Sequence, residues 1–140
     1  SDGLLSFDEI AGLHLDANLV VLSACDTGAG IRNQEVARLS GQEEAGSTLE
    51  GLVRAFLTAN ARAVLATHWQ VPVSEGTPEL MEAFYTSVRS EDIGASLQTA
   101  QRQLMANPKY SHPLYWGAYF IVGDARKSAL ARASVQTASK

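Results

Sequence analysis

LVVLSACDTGAG, at positions 19–30, is the stretch whose reading decides the fold. Leu19, Val20, Val21 and Leu22 are apolar without alternation, the pattern of a strand covered on both faces of a parallel sheet. The run leads into Cys25, the chain's single cysteine, and Asp26, Thr27, Gly28 and Gly30 then turn it into polar loop. A strand that ends this way places a thiol where core gives way to solvent. In open α/β sheets, active groups gather in the crevice at the carboxyl ends of the strands.

Upstream, SFDE at 6–9 has the spacing of a helix-capping box, with Ile10 and Leu13 as the apolar face of a short helix. Downstream, positions 26–46 carry four glycines and many polar residues and read as loop, with a turn or two of helix in NQEVARLS at 33–40. A second capping box, STLE at 47–50, opens a helix from about 48 to 59 in which Leu49, Leu52, Val53 and Phe56 share one face. Asn60 closes it in a left-handed conformation. ARAVLATHW at 61–69 is a second buried strand that ends on His68. Thr77 is the expected cap, and Pro78 the first helical residue, of PELMEAFYTSV. A further helix spans 92–106 with the stripe Ile93, Leu97, Ala100 and Leu104, and Asn107 and Pro108 stop it. YWGAYFIVGD at 115–124 reads as a third strand. Positions 125–140 have only Leu130 and Val135 as larger aliphatic residues and read as a weakly docked helix or a frayed tail.

This order predicts an α/β fold with a largely parallel sheet. Three strands alone leave Val20, Val21 and Leu22 along an exposed edge, so the sheet is expected to be incomplete, with its cover supplied by another segment or a second copy.

The bulk numbers bound the function. A chain of 140 residues, 46% hydrophobic and 19% charged, is one globular domain. Eleven Lys and Arg against 15 Asp and Glu give a net charge of -4, and no basic block offsets it, which disfavours nucleic acid or an anionic membrane as partner. One cysteine makes no internal disulfide, so a reducing, cytoplasmic setting is expected. The apolar runs are shorter than the ~20 residues of a membrane helix, and the start has no signal-peptide pattern. It also lacks an initial Met, so a processed product or an expressed fragment is expected.

Two readings of Cys25 stand at this point. A lone cysteine is commonly a buried small hydrophobe; one at a strand end is placed to be a nucleophile. The second role needs a nearby base, usually histidine, and backbone N–H groups aimed at the developing oxyanion, one of which Cys25 itself supplies. His68 beside Trp69 is a candidate base, or else a histidine satisfied by backbone. His14 reads as solvated or packed, and His112, in YSHPLYW, as part of a turn. No grouping has metal-ligand spacing, and GAG at 28–30 completes neither a dinucleotide nor a phosphate-loop motif, so neither metal nor cofactor is expected.

Four ordered segments resemble the CHAT domain, a caspase-like cysteine peptidase family often joined to tetratricopeptide repeats. LVVLSACDTGAG resembles its nucleophile segment, and LVRAFLTANARAVLATHWQV the helix, strand and tryptophan that follow. LMEAFYTSV and HPLYWGAYFIVGD resemble its last helices and closing strand, and the likeness runs from Asp2 to Asp124. It implies a caspase–hemoglobinase fold, a three-layer sandwich about a largely parallel sheet, with 1–124 as the carboxyl-terminal part of the domain and 125–140 as an appendage. It further implies a cysteine endopeptidase in which Cys25 forms a thioester with a protein or peptide substrate. The Cys25 N–H would contribute to the oxyanion hole, and Asp26, Thr27 and Gly28 would line the cleft. Asp26, Glu43 and Glu44 are candidate acids for recognising a basic residue.

In the family the general-base histidine precedes the cysteine in a His-Gly motif. Only 24 residues precede Cys25 here and none forms that pair. The base is therefore expected on a segment absent from this chain, an amino-terminal half or a second chain that also completes the sheet, with a tetratricopeptide-repeat region as a possible neighbour. The alternative is a catalytically inactive, CHAT-like regulatory or interaction module.

Overall fold

The computed structural model describes residues 6–22, 45–72 and 74–129. The helical turn read at 33–40 and the end of the chain from 130 onward lie outside them. In chain order the elements are α1 (Phe7–Ala11), β1 (Val20–Val21), α2 (Ala45–Thr58), β2 (Ala63–Thr67), α3 (Thr77–Ser87), α4 (Ile93–Ala106), α5 (Pro113–Trp116) and β3 (Tyr119–Gly123).

β2 is the centre of the molecule. From Ala63 to Ala66 no residue is more than 1% exposed, as a strand shielded on both faces requires. Alternation splits its side chains between two cores. Ala63 and Leu65 pack with Leu80 and Phe84 of α3 and with Ile93, Leu97 and Leu104 of α4. Val64 and Ala66 pack with Val53, Leu49, Phe56 and Leu57 of α2. Helices thus cover both faces of one sheet.

The sheet is mixed, in the order β1-β2-β3. β1 runs parallel to β2 with Val20 opposite Val64 and Val21 opposite Leu65, and the Leu22 N–H extends the ladder to the Leu65 carbonyl at 2.8 Å. β3 runs antiparallel, from Ala63 opposite Gly123 to Thr67 opposite Tyr119. The expectation of a largely parallel sheet is corrected on this point, and the reason is topological. A single crossover helix returns the chain to the starting end of a strand and yields a parallel neighbour. Here two long helices, α3 and α4, and the single turn α5 intervene. α3 begins at the exit end of β2, where the Tyr119 hydroxyl donates to Thr77 Oγ1 at 3.4 Å. α4 begins at the opposite end, where the N–H groups of Ile93 and Gly94 donate to the carbonyls of Lys127 and Ala125, just past β3. The chain is carried away and back again, so β3 must run down the sheet.

Local signals explain most boundaries. α1 has both bonds of its capping box, Glu9 N–H to Ser6 Oγ at 3.2 Å and Ser6 N–H to Glu9 Oε2 at 2.7 Å. It ends at Gly12, so Ile10 is buried while Leu13, beyond the helix, is 40% exposed instead of packed. α2 is already helical at Ala45, which places the STLE box inside the helix; residues i and i+3 are neighbours within a helix as well as at its start. Asn60 is left-handed at φ 72°, and the stripe Ile93, Leu97, Ala100 and Leu104 is buried.

Two expectations fail because of distant packing. The cap of α3 is Gly76 at φ 76°, not Thr77, which is the first helical residue. A Cβ at Gly76 would lie 2.6 Å from Tyr115 Cδ1, so the side chain there is excluded by contact as well as by φ. The third strand begins at Tyr119 rather than 115, because His112 and Pro113 start α5: His112 Nδ1 accepts from the Leu114 N–H at 3.1 Å and Pro113 occupies the first turn.

Past β3 the chain stays docked. Asn18 Nδ2 donates to the Ala129 carbonyl at 3.2 Å, and Ala129 packs against the α3–α4 core. β1 is half-buried, and its outer edge pairs with no strand among the described residues. No helix among the described residues is long and apolar enough to cross a membrane.

The two-core arrangement makes a graded prediction. Phe84 is fully buried, so Phe84→Ala should cost ~3–5 kcal/mol in denaturant unfolding. Phe56, half-buried on α2, should cost roughly half as much when truncated. Equal losses at the two positions would overturn the ranking of the two cores.

Candidate active site

The parallel register fixes which ends of the strands meet. β1 and β2 exit together, and β3 begins at that same end opposite Thr67. The His68 N–H donates to the Ala118 carbonyl at 2.9 Å, tying the exit of β2 to the entry of β3. Cys25 follows Leu22 by three positions in the sequence. Cys25, Asp26, Thr27, Gly28, Glu43 and Glu44 lie outside the described residues.

An apolar cleft opens at this end, between the sheet and α3, with a cavity volume of about 30 Å³. Val21, Leu22, Leu65 and Ala66 form its sheet wall, Val71 and Tyr119 its rim, and Thr77 and Met81 its α3 wall. Among the described residues no charged side chain lines it.

The three histidines are dispersed. His68 is exposed and its ring stacks on Phe120, with centroids 4.0 Å apart and planes 20° from parallel. Phe120 belongs to the α2-facing core, so the imidazole lies on the face opposite the cleft. His112 is at the exit end too, engaged through Nδ1 as the cap of α5. His14 is at the far end, in the segment whose Leu15 N–H and Ala17 carbonyl bond to Ala59 and Arg62, ahead of β2. Trp69, 42% exposed, donates from Nε1 to the Leu114 carbonyl at 3.4 Å. Among the described residues no cluster of three His, Cys, Asp or Glu side chains is arranged to hold a metal ion.

A brace behind the site has no local sequence signal. The Tyr110 hydroxyl donates to Glu79 Oε1 at 2.9 Å, and the Tyr110 ring meets that of Tyr115 edge-on at 5.3 Å. Lys109 lies 5.1 Å above Tyr110 and 3.9 Å from Glu75. These contacts join the loop after β2 to the loop after α4. Glu79's own backbone N–H, then the Tyr110 hydroxyl, hold its carboxyl below the ordinary range, and the Gly76 backbone and the Lys109 charge add to this.

These features define an α/β domain with a crevice at the carboxyl ends of a parallel strand pair. The chain belongs to the CHAT domain family, a caspase-like family, whose model matches residues 1–124. It is 34% identical over 126 residues to mouse tetratricopeptide repeat protein 28 and 30% identical over 122 residues to the human protein of that name, covering 86% of this chain in each case. The chain spans about 4% of the length of these curated relatives. No solved structure matches it significantly.

The brace yields a test with a definite sign. A carboxyl whose pKa is lowered on folding stabilises the protein above the ordinary carboxylate range, and that stabilisation is lost as pH falls through the folded-state pKa. Thermal melting of the wild type and of Tyr110→Phe should therefore differ by a constant amount at neutral pH, with the gap closing below the ordinary carboxylate range. A gap that persists in strong acid would show that Glu79 is not what Tyr110 holds.

Proposed function

We propose that this chain carries the nucleophile of a caspase-like cysteine endopeptidase. The Cys25 thiolate attacks the scissile carbonyl, the electron pair moves to oxygen, and the Cys25 N–H is one donor to the oxyanion. Collapse expels the amine, which takes a proton from the base, and leaves a thioester that water hydrolyses to the acid and free thiol. The reaction as written uses no cofactor. Asp26, Thr27 and Gly28 shape the cleft, and the carboxylates of Asp26, Glu43 and Glu44 are available to a basic residue of the substrate.

The observation that carries this reading is the register of β1 on β2. Val20 opposite Val64 and Val21 opposite Leu65 direct the segment that leads to Cys25 toward the same end as the cleft. Membership of a caspase-like family supports the choice of reaction.

The general base is a histidine on a segment beyond these 140 residues. His14 is at the wrong end of the sheet, His112 caps α5, and the His68 ring lies across the sheet from the cleft. That segment, from the amino-terminal half of the domain or a second chain, adds to the open edge of β1. Residues 1–124 form the domain proper, with 125–140 as an appendage, and a tetratricopeptide-repeat region is the proposed neighbour, as the relatives' names suggest. The placement of the histidines also favours a second reading, a non-catalytic CHAT domain that acts by binding.

Peptide hydrolysis by the complete protein separates the two. Cys25→Ala should reduce turnover to background while the protein stays folded, and His68→Ala should leave it within about threefold of wild type. Retained turnover in Cys25→Ala would remove Cys25 as nucleophile. Loss in His68→Ala would instead make His68 the base, and absence of Cys25-dependent hydrolysis would favour the binding module.

A further inference from the structure

We propose that the cleft between β1, β2 and α3 is a recognition subsite for one short aliphatic side chain of a peptide substrate, an inference that rests on the peptidase reading above. Its walls decide what enters. Val21, Leu65, Val71 and Met81 contribute hydrocarbon, Thr67 also lines the cleft, and of its other hydroxyls Tyr119 donates to Thr77 Oγ1 at 3.4 Å. A Lys or Arg side chain placed there would lose its water with no carboxylate among the described lining residues to replace it. An acidic side chain meets the same obstacle.

Size narrows the choice further. The cavity volume of the cleft is about 30 Å³, room for roughly two or three water-sized groups at ~10–15 Å³ each. That fits the branched end of valine or leucine and excludes an aromatic ring. Water gains little in such a place, because it needs two to four polar partners and the lining supplies almost none. Met81 adds tolerance, since an unbranched thioether adjusts to small differences in shape.

Position gives the cleft its meaning. It lies at the carboxyl ends of β1 and β2, where Leu22 leads toward Cys25, and the Tyr110–Glu79 bond ties the first turn of α3, one of its walls, to the loop after α4. A side chain seated there would fix the register of a bound peptide next to the proposed nucleophile. The subsite thus selects by apolar burial.

The chain's two methionines provide the test. Met81 lines the cleft, while Met105 is 40% exposed and outside its lining. The chain is labelled with ¹³C at the methionine methyls and titrated with the N-acetyl N-methylamides of valine, leucine and lysine. The Met81 signal should move and saturate with valine and leucine, Met105 should stay fixed, and lysine should move neither. Thr77→Leu, which fills the mouth, should abolish the response while both signals keep their folded positions. A Met81 signal indifferent to valine and leucine, or moved as far by lysine, overturns the proposal. The titration reads no turnover, so it fails separately from the peptidase reading. Cys25-dependent hydrolysis without a Met81 response would keep the enzyme and discard the subsite.

Discussion

Everything in this fold follows from the need to remove β2 from water on both faces at once. Val64 and Leu65 point in opposite directions from adjacent positions, and each is buried. Burying an aliphatic side chain of this size is worth ~1.5–3 kcal/mol, but only if both directions are covered. The backbone sets an equal demand, since a strand this deep must pair its N–H and C=O groups on both sides. β3 meets one side with five residue pairs and β1 the other with two, extended by the Leu22 N–H. α2 and the α3–α4 pair then supply the two covers.

The direction of β3 has a consequence for the site. Because the long helices α3 and α4 carry the chain away and back between β2 and β3, the first residue of β3 lies beside the last of β2, and both loops open at the same end. A parallel third strand would have entered from the far end and left the crevice one wall short. The loops after β2 and α4 are instead held together by short-range chemistry. His68 N–H bonds to the Ala118 carbonyl, Trp69 reaches the Leu114 carbonyl, Tyr115 rests on Gly76, and Tyr110 grips Glu79.

Much of this was legible from periodicity alone. The stripe of α4, the unbroken apolar character of β2, the capping box of α1 and the left-handed Asn60 are local properties, and local physics decides them. The misreadings share one cause: contacts between residues remote in sequence. Thr77 is a better cap than glycine by intrinsic preference, yet Tyr115 occupies the space and leaves Gly76 there. The apolar run at 115–124 reads as one strand because nothing before His112–Pro113 marks a helical turn inside it. At the site, the position of His68 at the exit of β2 followed from spacing, whereas the face to which its ring turns depends on Phe120 in β3. The Tyr110–Glu79 bond joins the loop after α4 to the first turn of α3, which no pattern connects.

These constraints also limit where a base can approach a nucleophile at Cys25. The β2 side of the exit is filled by the His68–Ala118 backbone bond, with the imidazole stacked flat on Phe120 so that its nitrogens point along the ring plane. The α3 side is the apolar cleft, whose Thr77 and Tyr119 hydroxyls are bonded to each other. The open direction is along the outer edge of β1, where Val20 and Val21 keep part of their surface exposed and, among the described residues, no strand pairs. A strand added there in parallel would end beside the exit of β1, and a histidine at its carboxyl end would lie at the end toward which Leu22 leads, without displacing any contact described above. On the peptidase reading, the edge left open by β1 and the base the reaction requires are therefore one structural requirement: the segment that covers Val20 and Val21 is the segment that must bring the histidine.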